Sequence, residues 1–552
     1  MANVSKQHRD ELLEKISKIR EFIANSKADK NTRNLQQYLN EITKDIKGKK
    51  YGLVFEEHRE AIDEKLDTHV PVLVEEKKLA IDNGGEQNFL IEGDNLAALK
   101  LLEKTHKGKI DVIYIDPPYN TGKNEKQDFH YDDKFVDIND TFRHSKWISF
   151  MEKRLVLAKT LLAKDGFIVI SIDDNEYGPL KILCDEIFGS DLFVNTFIWQ
   201  RNSSGKTEND KYTVNTEYVL LYAKTKNYSL NDVYKPLAEA TRALYKKDDK
   251  DGRGRYRLYP LQKPASPGPE TSYDYVDNNG KVWKCPPKGW RIKYEKLKAL
   301  ENDGRLCLEN ETLSEKAYWN ERTSEGKRID TLWNDLSENT VGSKEVENIF
   351  GKQGVFNNPK PLDLIERCLE IKKNNFTILD FFAGSGTTGH AVLKLNNDGK
   401  KRKFILCTNN ENNICRDVTY QRIKTVITGK RKNKTKYSDG LPGSLKYFRI
   451  DYVPISGKLY YEYADELLLH IRELVELENG INFSNNSKIA IILTDSEMEN
   501  FVEENKKKKS IDVKKIYRGH NVLLSNAQAT FLKKHNIKIN VIPDYYYQEL
   551  AK

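Results

Sequence analysis

A hydrophobic run that stops on two prolines constrains this 552-residue chain more than any other feature. Residues 111–122 read D-V-I-Y-I-D-P-P-Y-N-T-G. The β-branched and aromatic residues Val112, Ile113, Tyr114 and Ile115 fit a buried strand. Pro117 and Pro118 end it, because neither has an N–H to give to a sheet ladder. Asp116 is left at the strand's carboxyl end, and Tyr119 projects from a stiff turn. Open α/β sheets bind their ligands at that edge. A carboxylate, two proline-flanked carbonyls and an aromatic face are therefore set out together on a ligand-binding rim. One task suits this set. The exocyclic amino group of a nucleobase is a poor nucleophile, because its lone pair is delocalised into the ring. Asp116 and the carbonyl of Pro117 can accept its hydrogens and favour the pyramidal, reactive form, while Tyr119 stacks on the extruded base. Taken alone, the stretch is equally an ordinary strand closed by a Pro-Pro turn.

A second strand with a similar ending lies far downstream. Residues 377–389 read T-I-L-D-F-F-A-G-S-G-T-T-G. A hydrophobic strand runs into Asp380, then a glycine-rich bend, then a helical pattern over 390–395. Gly384 and Gly386 let the backbone approach a ligand closely. No Gly-Lys-Ser/Thr follows, so this is not a phosphate-cradling loop. Gly384, Gly386 and Gly389 do have the literal G-x-G-x-x-G spacing, which keeps a nicotinamide or flavin cofactor as an alternative.

Together the two motifs resemble those of the amino-methyltransferases that act on DNA with S-adenosyl-L-methionine. D-P-P-Y precedes the glycine motif, an order similar to that of the beta class. G-L-V-F at 52–55, L-I-E-G-D-N at 90–95, the N-T-G after Tyr119 and F-N-N-P-K-P at 356–361 look like the modification (Mod) subunits of Type III restriction systems. The resemblance covers about residues 50–450. It implies an α/β fold with a Rossmann-like, mixed, mostly parallel sheet, an inserted target-recognition domain, and helical and α/β appendages. The implied order is an N-terminal helical segment (1–50), a first catalytic part (51–223), target recognition (224–351), a second catalytic part (352–428), then a linker and C-terminal α/β module (429–552).

The same resemblance implies methyl transfer to the N6 amino group of adenine in double-stranded DNA. D-P-P-Y is the version commonest in adenine-N6 enzymes, whereas cytosine-N4 enzymes more often begin theirs with serine. Asp116, Pro117, Pro118 and Tyr119 would be catalytic. Asp94, Asn95, Phe356, Lys360, Asp380, Phe382, Ala383, Gly384, Ser385, Gly386, Thr387 and Asn409 would hold the cofactor, with Lys360 on its carboxylate and Asp94 near its adenine. Capping of the following helix would equally explain Asp94. An acid commonly closes the strand after the glycine motif and holds the ribose. Here the strand over 403–408 runs into Asn409 and Asn410, and the first acid is Glu411. Any of the three is left to make that contact. The family also implies a homodimer and a separate restriction (Res) subunit. A solitary or other phage-defence methyltransferase, a cytosine-N4 enzyme and a catalytically silent DNA-binding subunit stay as alternatives.

The bulk properties exclude some classes. With 91 basic and 83 acidic residues the net charge is +8, a mild excess compatible with a nucleic-acid partner. The six cysteines include no C-x-x-C pair and read as buried, reduced thiols. No metal is expected, because methyl transfer from a sulfonium releases a neutral leaving group. Asp173-Asp174 then reads as a turn and helix cap. No run approaches a membrane span and the N-terminus lacks an apolar signal core, so a cytoplasmic protein without a membrane partner is expected. No translocase loop is present, so cleavage and translocation would belong to another chain.

The remaining pattern predicts the supporting elements. A helix within 5–48 places Leu12, Leu13, Ile16, Ile19, Phe22 and Ile23 on one face. Asp94 is expected to cap a helix over 96–102. Residues 120–135 read as a mobile loop over the site. A helix over 147–162 is expected to stop at Gly166, followed by strands over 167–172 and 217–223. In 224–351 basic residues interleave with the aromatics Tyr245, Tyr256, Tyr259, Trp290 and Tyr294, which points to DNA contacts by Arg253, Arg255, Arg257 and Arg291, with aromatics able to stack or wedge. Residues 429–443 have the composition of a solvated linker. Beyond it, a helix over 460–477, strands over 489–493 and 521–524, and a helix over 527–534 are expected.

Overall fold

The computed structural model describes residues 4–24, 35, 38–39, 42–43, 55–122, 129–131, 134–204, 212–235, 239–263, 268–308, 312–322, 327–454, 470–480, 488–506, 508, 511–519 and 522–542. Residues 232–330 form one compact unit and the rest of the chain forms another.

The larger unit is built on an eleven-stranded sheet. In chain order its strands are β1 (His69–Glu75), β2 (Ile81–Asp82), β3 (Gln87–Glu92), β4 (Ile110–Ile115), β5 (Leu162–Ile172), β6 (Phe193–Gln200), β7 (Thr216–Ala223), β8 (Leu332–Trp333), β9 (Thr377–Asp380), β10 (Lys403–Thr408) and β11 (Ser444–Pro454). In space they run β1-β11-β3-β10-β9-β4-β5-β7-β6-β8, with β2 beside β11. Every neighbouring pair from β11 to β5 is parallel. The β5–β7, β7–β6 and β1–β11 pairs are antiparallel. The sheet is thus mixed and mostly parallel. Its central strands read as near-continuous apolar runs because both faces are covered. Val112, Ile113, Ile115 and Leu379 are all fully buried.

Helices α1 (Val4–Ala24), α2 (Ala61–Thr68), α3 (Asn95–His106), α4 (Arg143–Leu161), α5 (Tyr177–Cys184), α6 (Asn339–Phe350), α7 (Leu362–Glu370), α8 (Thr387–Leu395), α9 (Tyr420–Thr428) and α10 (Ile471–Asn479) surround it. α3 packs on α4 and α4 on α5, while α7 packs on α8 and α6 and α8 pack on α9. The β4–α4–β5 crossover steps one way along the sheet and the β9–α8–β10 crossover steps the other. Crossovers of this kind are right-handed, so α4 and α8 cover opposite faces. The winding therefore reverses between β4 and β9, which are adjacent, with Ile378 opposite Val112 and Leu379 opposite Ile113. Such a reversal opens a crevice at the carboxyl ends of the strands. Both sequence motifs end there.

Several expectations are corrected. α4 starts at Arg143 and its end passes directly into β5 at Leu162. Gly166 lies inside β5 and does not stop the helix; a Cβ there would sit 2.9 Å from the Asp111 carbonyl. On α1, Ile16 and Ile23 are buried with Leu39, but Ile19 is 46% and Phe22 75% exposed, so the apolar face is narrower than predicted. Residues 331–351 belong to the larger unit, not to the insertion. Trp333 is fully buried and stacks on Phe197 at 4.3 Å, which anchors β8 to β6.

Residues 429–443 are folded. Gly429 and Gly440 take left-handed backbone, Tyr437 N–H donates to the Gly429 carbonyl, and Arg431 donates to the Asn348 carbonyl. They lead into β11, a strand missed because charged residues interrupt its pattern. Leu445, Tyr447 and Phe448 are fully buried, and the buried Lys446 is paired with Glu75 and Glu476 at 3.1 and 2.6 Å. Of the predicted loop over 120–135, residues 123–128 and 132–133 lie outside the described residues, and His130–Tyr131 pairs with Lys134–Phe135.

The tail carries a three-stranded parallel sheet, β12 (Ile489–Ile492), β13 (Lys515–Arg518) and β14 (Lys538–Val541), with α11 (Asp495–Asn505) and α12 (Asn526–Lys534). Ile492, Met498, Ile516 and Leu532 form its core. No strand covers 522–524, and residues 460–469 and 521 lie outside the described residues.

The smaller unit has its own core of Leu261, Tyr275, Trp283, Trp290, Leu297, Leu306 and Leu313. Its antiparallel sheet pairs Tyr256–Pro260 with Ser314–Tyr318, and Ser314–Tyr318 in turn with Leu306–Cys307. Of the aromatics in this stretch, Tyr245, Tyr256 and Trp290 are buried at 2%, 5% and 3% exposure and belong to the unit's interior.

Candidate active site

The chain leaving β4 is fixed residue by residue. The indole N–H of the fully buried Trp147 donates to the Pro118 carbonyl at 2.7 Å. Asn120 takes a left-handed φ of 55°, is fully buried, and donates to Glu176 Oε1 at 2.5 Å and to the Arg143 carbonyl at 3.3 Å. The Tyr119 hydroxyl lies 2.9 Å from Asp116 Oδ1 and 3.0 Å from Glu217 Oε2, and accepts from Lys360 Nζ at 2.7 Å. The Pro117 carbonyl accepts no hydrogen bond from the described residues.

Lys360 sits elsewhere than expected. Its ammonium is 3.0 Å from Asp116 Oδ1 and 3.3 Å from Glu217 Oε2, so it joins this carboxylate pair and does not stand free for a cofactor's carboxylate. Arg201 adds a second cation, 3.1 Å from Glu217 Oε1. Two carboxylates thus face two cations. Burial raises the Asp116 carboxyl above its ordinary value, with Lys360 opposing and Glu217 reinforcing the rise. Burial would raise Glu217 as well, but Lys360 and Arg201 together hold it below its ordinary value. These groups line a cavity of about 660 Å³ with Pro117, Pro118, Asp173, Phe356 and Asn358.

A second cavity of about 440 Å³ also has Pro118 in its wall. Its walls include Phe129, Phe150, Phe382 and Tyr452, with Glu60, Asp94, Glu411 and Asn409 as polar groups. Aromatic walls and acceptors suit a purine with its ribose, the adenosyl half of S-adenosyl-L-methionine. Asp94 both lines this cavity and caps α3, accepting from Leu96 N–H at 2.7 Å and Ala97 N–H at 3.2 Å. Asn95 also lines it, with its side chain held between Arg154 Nε at 2.6 Å and the Phe381 carbonyl at 3.2 Å. Of the three ribose candidates, Asn409 and Glu411 reach the cavity, whereas Asn410 accepts from Arg416 N–H at 3.1 Å.

The glycine turn is braced from behind. Asp380 is buried and accepts from Phe382 N–H at 3.0 Å and Thr388 Oγ1 at 2.6 Å, so it shapes the turn and does not line the second cavity. Burial pushes its carboxyl up to about 7. Ala383 N–H donates to the Cys407 carbonyl, and the Gly384 carbonyl accepts from Thr419 Oγ1 at 2.6 Å. Gly384 packs on Phe356, whose ring would lie 3.2 Å from an added Cβ, and Gly386 is left-handed at φ 77°. Ser385 and Thr387, expected on the cofactor, turn inward. Both hydroxyls accept from the fully buried Arg422, at 3.2 and 2.8 Å.

Glu217 and Arg201 escaped the sequence reading, although a glutamate opening the apolar run E-Y-V-L-L-Y-A was a usable signal. Arg154, Arg422 and Tyr452 gave no comparable one. In the smaller unit, Arg253 is held by Asp251 and the Asp303 carbonyl, Arg257 lies 3.9 Å from the Tyr259 ring centre, and Arg291 donates to the Gln262 carbonyl. Arg255 is exposed, and its guanidinium has no partner among the described residues.

Comparison with known proteins gives the family. The N6_N4_Mtase family, described as DNA methylase, matches residues 110–420, a span that contains both motifs. The Type III restriction-modification enzyme StyLTI Mod subunit of Salmonella typhimurium is 35% identical over 426 residues, covering 71% of this chain and 63% of that subunit. The EcoPI Mod subunit of Escherichia phage P1 is 32% identical over 382 residues, covering 60% of this chain and 58% of that subunit. The chain thus spans about three-fifths of the length of these Type III subunits. Type II methyltransferase M.KpnI of Klebsiella pneumoniae is 34% identical over 385 residues, covering 65% of this chain and 90% of the relative. With both motifs at one crevice and more than half of its length within the family match, the chain belongs to the N6_N4_Mtase DNA methylases, enzymes that take their methyl group from S-adenosyl-L-methionine.

Proposed function

We propose that this chain transfers a methyl group to the N6 amino group of adenine in double-stranded DNA, as the modification subunit of a Type III-like restriction-modification system. The observation that carries this reading is Pro118, which borders both cavities. A donor in the adenosyl cavity and an amine held by Asp116 would meet across one residue. S-adenosyl-L-methionine supplies an electrophilic methyl whose sulfur departs neutral. The chain's own residues do the positioning, which is where most of the catalysis lies. Asp116 and the open Pro117 carbonyl accept the two amine hydrogens and turn the nitrogen lone pair toward the donor. Tyr119, fixed through its hydroxyl, stacks on the base. As the new N–C bond forms, the nitrogen becomes positive, the adjacent carboxylates stabilise it, and one amine proton passes out through Asp116 to solvent.

Adenine is favoured over cytosine because the motif begins with aspartate. Residues 232–330 serve as the target-recognition unit, with Arg255 free for a phosphate or a guanine edge. A homodimer and a separate Res chain complete the system; the name Mod subunit carried by the relatives supports the separate chain. Methylated DNA digested to nucleosides should yield N6-methyladenine; 4-methylcytosine would overturn the choice of base. A monomeric mass in solution would remove the dimer. Magnesium- and ATP-dependent cleavage tracking with the pure chain would overturn the separate Res subunit.

A further inference from the structure

We propose that Glu176 is a positioning residue for methyl transfer, fixing the D-P-P-Y turn through the side chain of Asn120 with His144 as its companion. The proposal rests on the reading of that turn as the target-amine site. Asn120 directly follows Tyr119, and its backbone is left-handed, a conformation that persists in a non-glycine residue only where its surroundings hold it. Its side chain is fully buried and reaches two elements, Glu176 before α5 and the Arg143 carbonyl at the start of α4. Glu176 is itself fully buried, and its Oε1 also lies 2.7 Å from His144 Nδ1. It stands three residues beyond Asp173, which lines the target cavity. Glu176 thus ties together the ends of the adjacent strands β4 and β5 at the rim where the base must sit.

The charge around it is arranged for a neutral carboxyl. The charged and titratable groups facing it are Arg143 and His144 on α4 and Asp173 after β5. Burial pushes Glu176 up to about 8, and burial also holds His144 below its ordinary value, so at neutral pH neither carries charge. Oε2 of Glu176 and Oδ1 of Asn120 have no hydrogen-bond partner among the described residues. Ionisation of Glu176 above that pH leaves a buried charge beneath the turn with Arg143 as its only nearby cation among the described residues. The turn should loosen there and the rate should fall.

Two variants of the full chain separate this role from simple structural support. Glu176→Gln keeps the acceptor and removes the titration. It should hold kcat within about twofold at pH 7 and lose the alkaline fall. Glu176→Ala should lower kcat about 10- to 100-fold, with S-adenosyl-L-methionine affinity within about twofold, and Asn120→Ala should match it. Hydrogen–deuterium exchange of a peptide spanning 119–122 should rise in Glu176→Ala and stay at the wild-type level in Glu176→Gln. This readout does not depend on methylation, so it tests the proposal even if the wild-type chain transfers nothing to DNA, an outcome that would count against the proposed function alone. Unchanged exchange in Glu176→Ala, or an alkaline limb that survives in Glu176→Gln, overturns the positioning role.

Discussion

Replacing Lys360 by methionine keeps most of the side-chain volume and removes the ammonium that faces Asp116. The two charges are 3.0 Å apart. At an effective dielectric constant near 20 the attraction is about 5 kcal/mol. Asp116 keeps 27% of its side-chain exposure on the cavity side, so water screens part of this, and roughly 2–3 kcal/mol is a fair net figure. Burial already favours the protonated carboxyl, and removing Lys360 favours it further. A protonated Asp116 points a donor at an amine that needs an acceptor. Single-turnover transfer of labelled methyl to DNA at pH 7 should therefore fall about 30- to 100-fold. The direction of recovery follows from the sign of the shift. An acid whose titration is raised ionises only as pH rises, so the rate of the variant relative to wild type should climb as pH rises. Affinity for S-adenosyl-L-methionine should change little. A ratio that stays flat with pH, together with collapsed cofactor affinity, would refute this reasoning and return Lys360 to the cofactor's carboxylate.

Asp116→Ala should abolish transfer while sparing cofactor binding, because its acceptors act only with the base in place; residual turnover above about a tenth of wild type would contradict the role. Arg255→Ala should weaken DNA binding at every sequence and reduce the slope of log affinity against log salt by about one, if it meets a phosphate, whereas Arg253→Ala, already held by Asp251, should move the slope less. For Asp380, raised by burial to about 7, the stabilising protonated form is fully present below the ordinary aspartate value near 4 and is lost as pH rises toward 7. Asp380→Asn should remove that fall, so the difference in unfolding midpoint between variant and wild type should move in the variant's favour from pH 4 to pH 8; a difference constant with pH would show that Asp380 is not titrating in the fold.

The parts of the site that were legible in the sequence are those with a local signature. β4 and β9 announce themselves as apolar runs cut short by prolines or glycines, and that punctuation is a backbone effect needing no knowledge of distant neighbours. The roles of Lys360, Ser385 and Thr387 were not legible in the same way. A side chain's direction depends on what lies behind it, and Arg422 and Glu217 come from α9 and β7, remote in sequence. β11 was hidden for a related reason. Its central lysine is tolerated in the interior only because Glu75 and Glu476 meet it, and no window of neighbouring residues contains either partner.

The adjacency of β4 and β9 also sets a clock. Asp116 and Asp380 are some 260 residues apart in the chain yet end neighbouring strands, and the Asp111 carboxylate accepts from the Thr377 N–H at 2.8 Å to hold those strands together. During synthesis at roughly 5–20 residues per second, the first motif emerges on the order of 15–50 seconds before the second. Throughout that interval β4 lacks β9 beside it, the glycine turn does not exist, and neither Glu411 nor Tyr452 has been made to wall the second cavity. The nascent chain therefore holds Asp116 and Tyr119 without the far walls of the second cavity. On the proposed function, the capacity to mark DNA arrives only when the strands that bracket the crevice close the sheet, so a chain interrupted between the motifs cannot methylate.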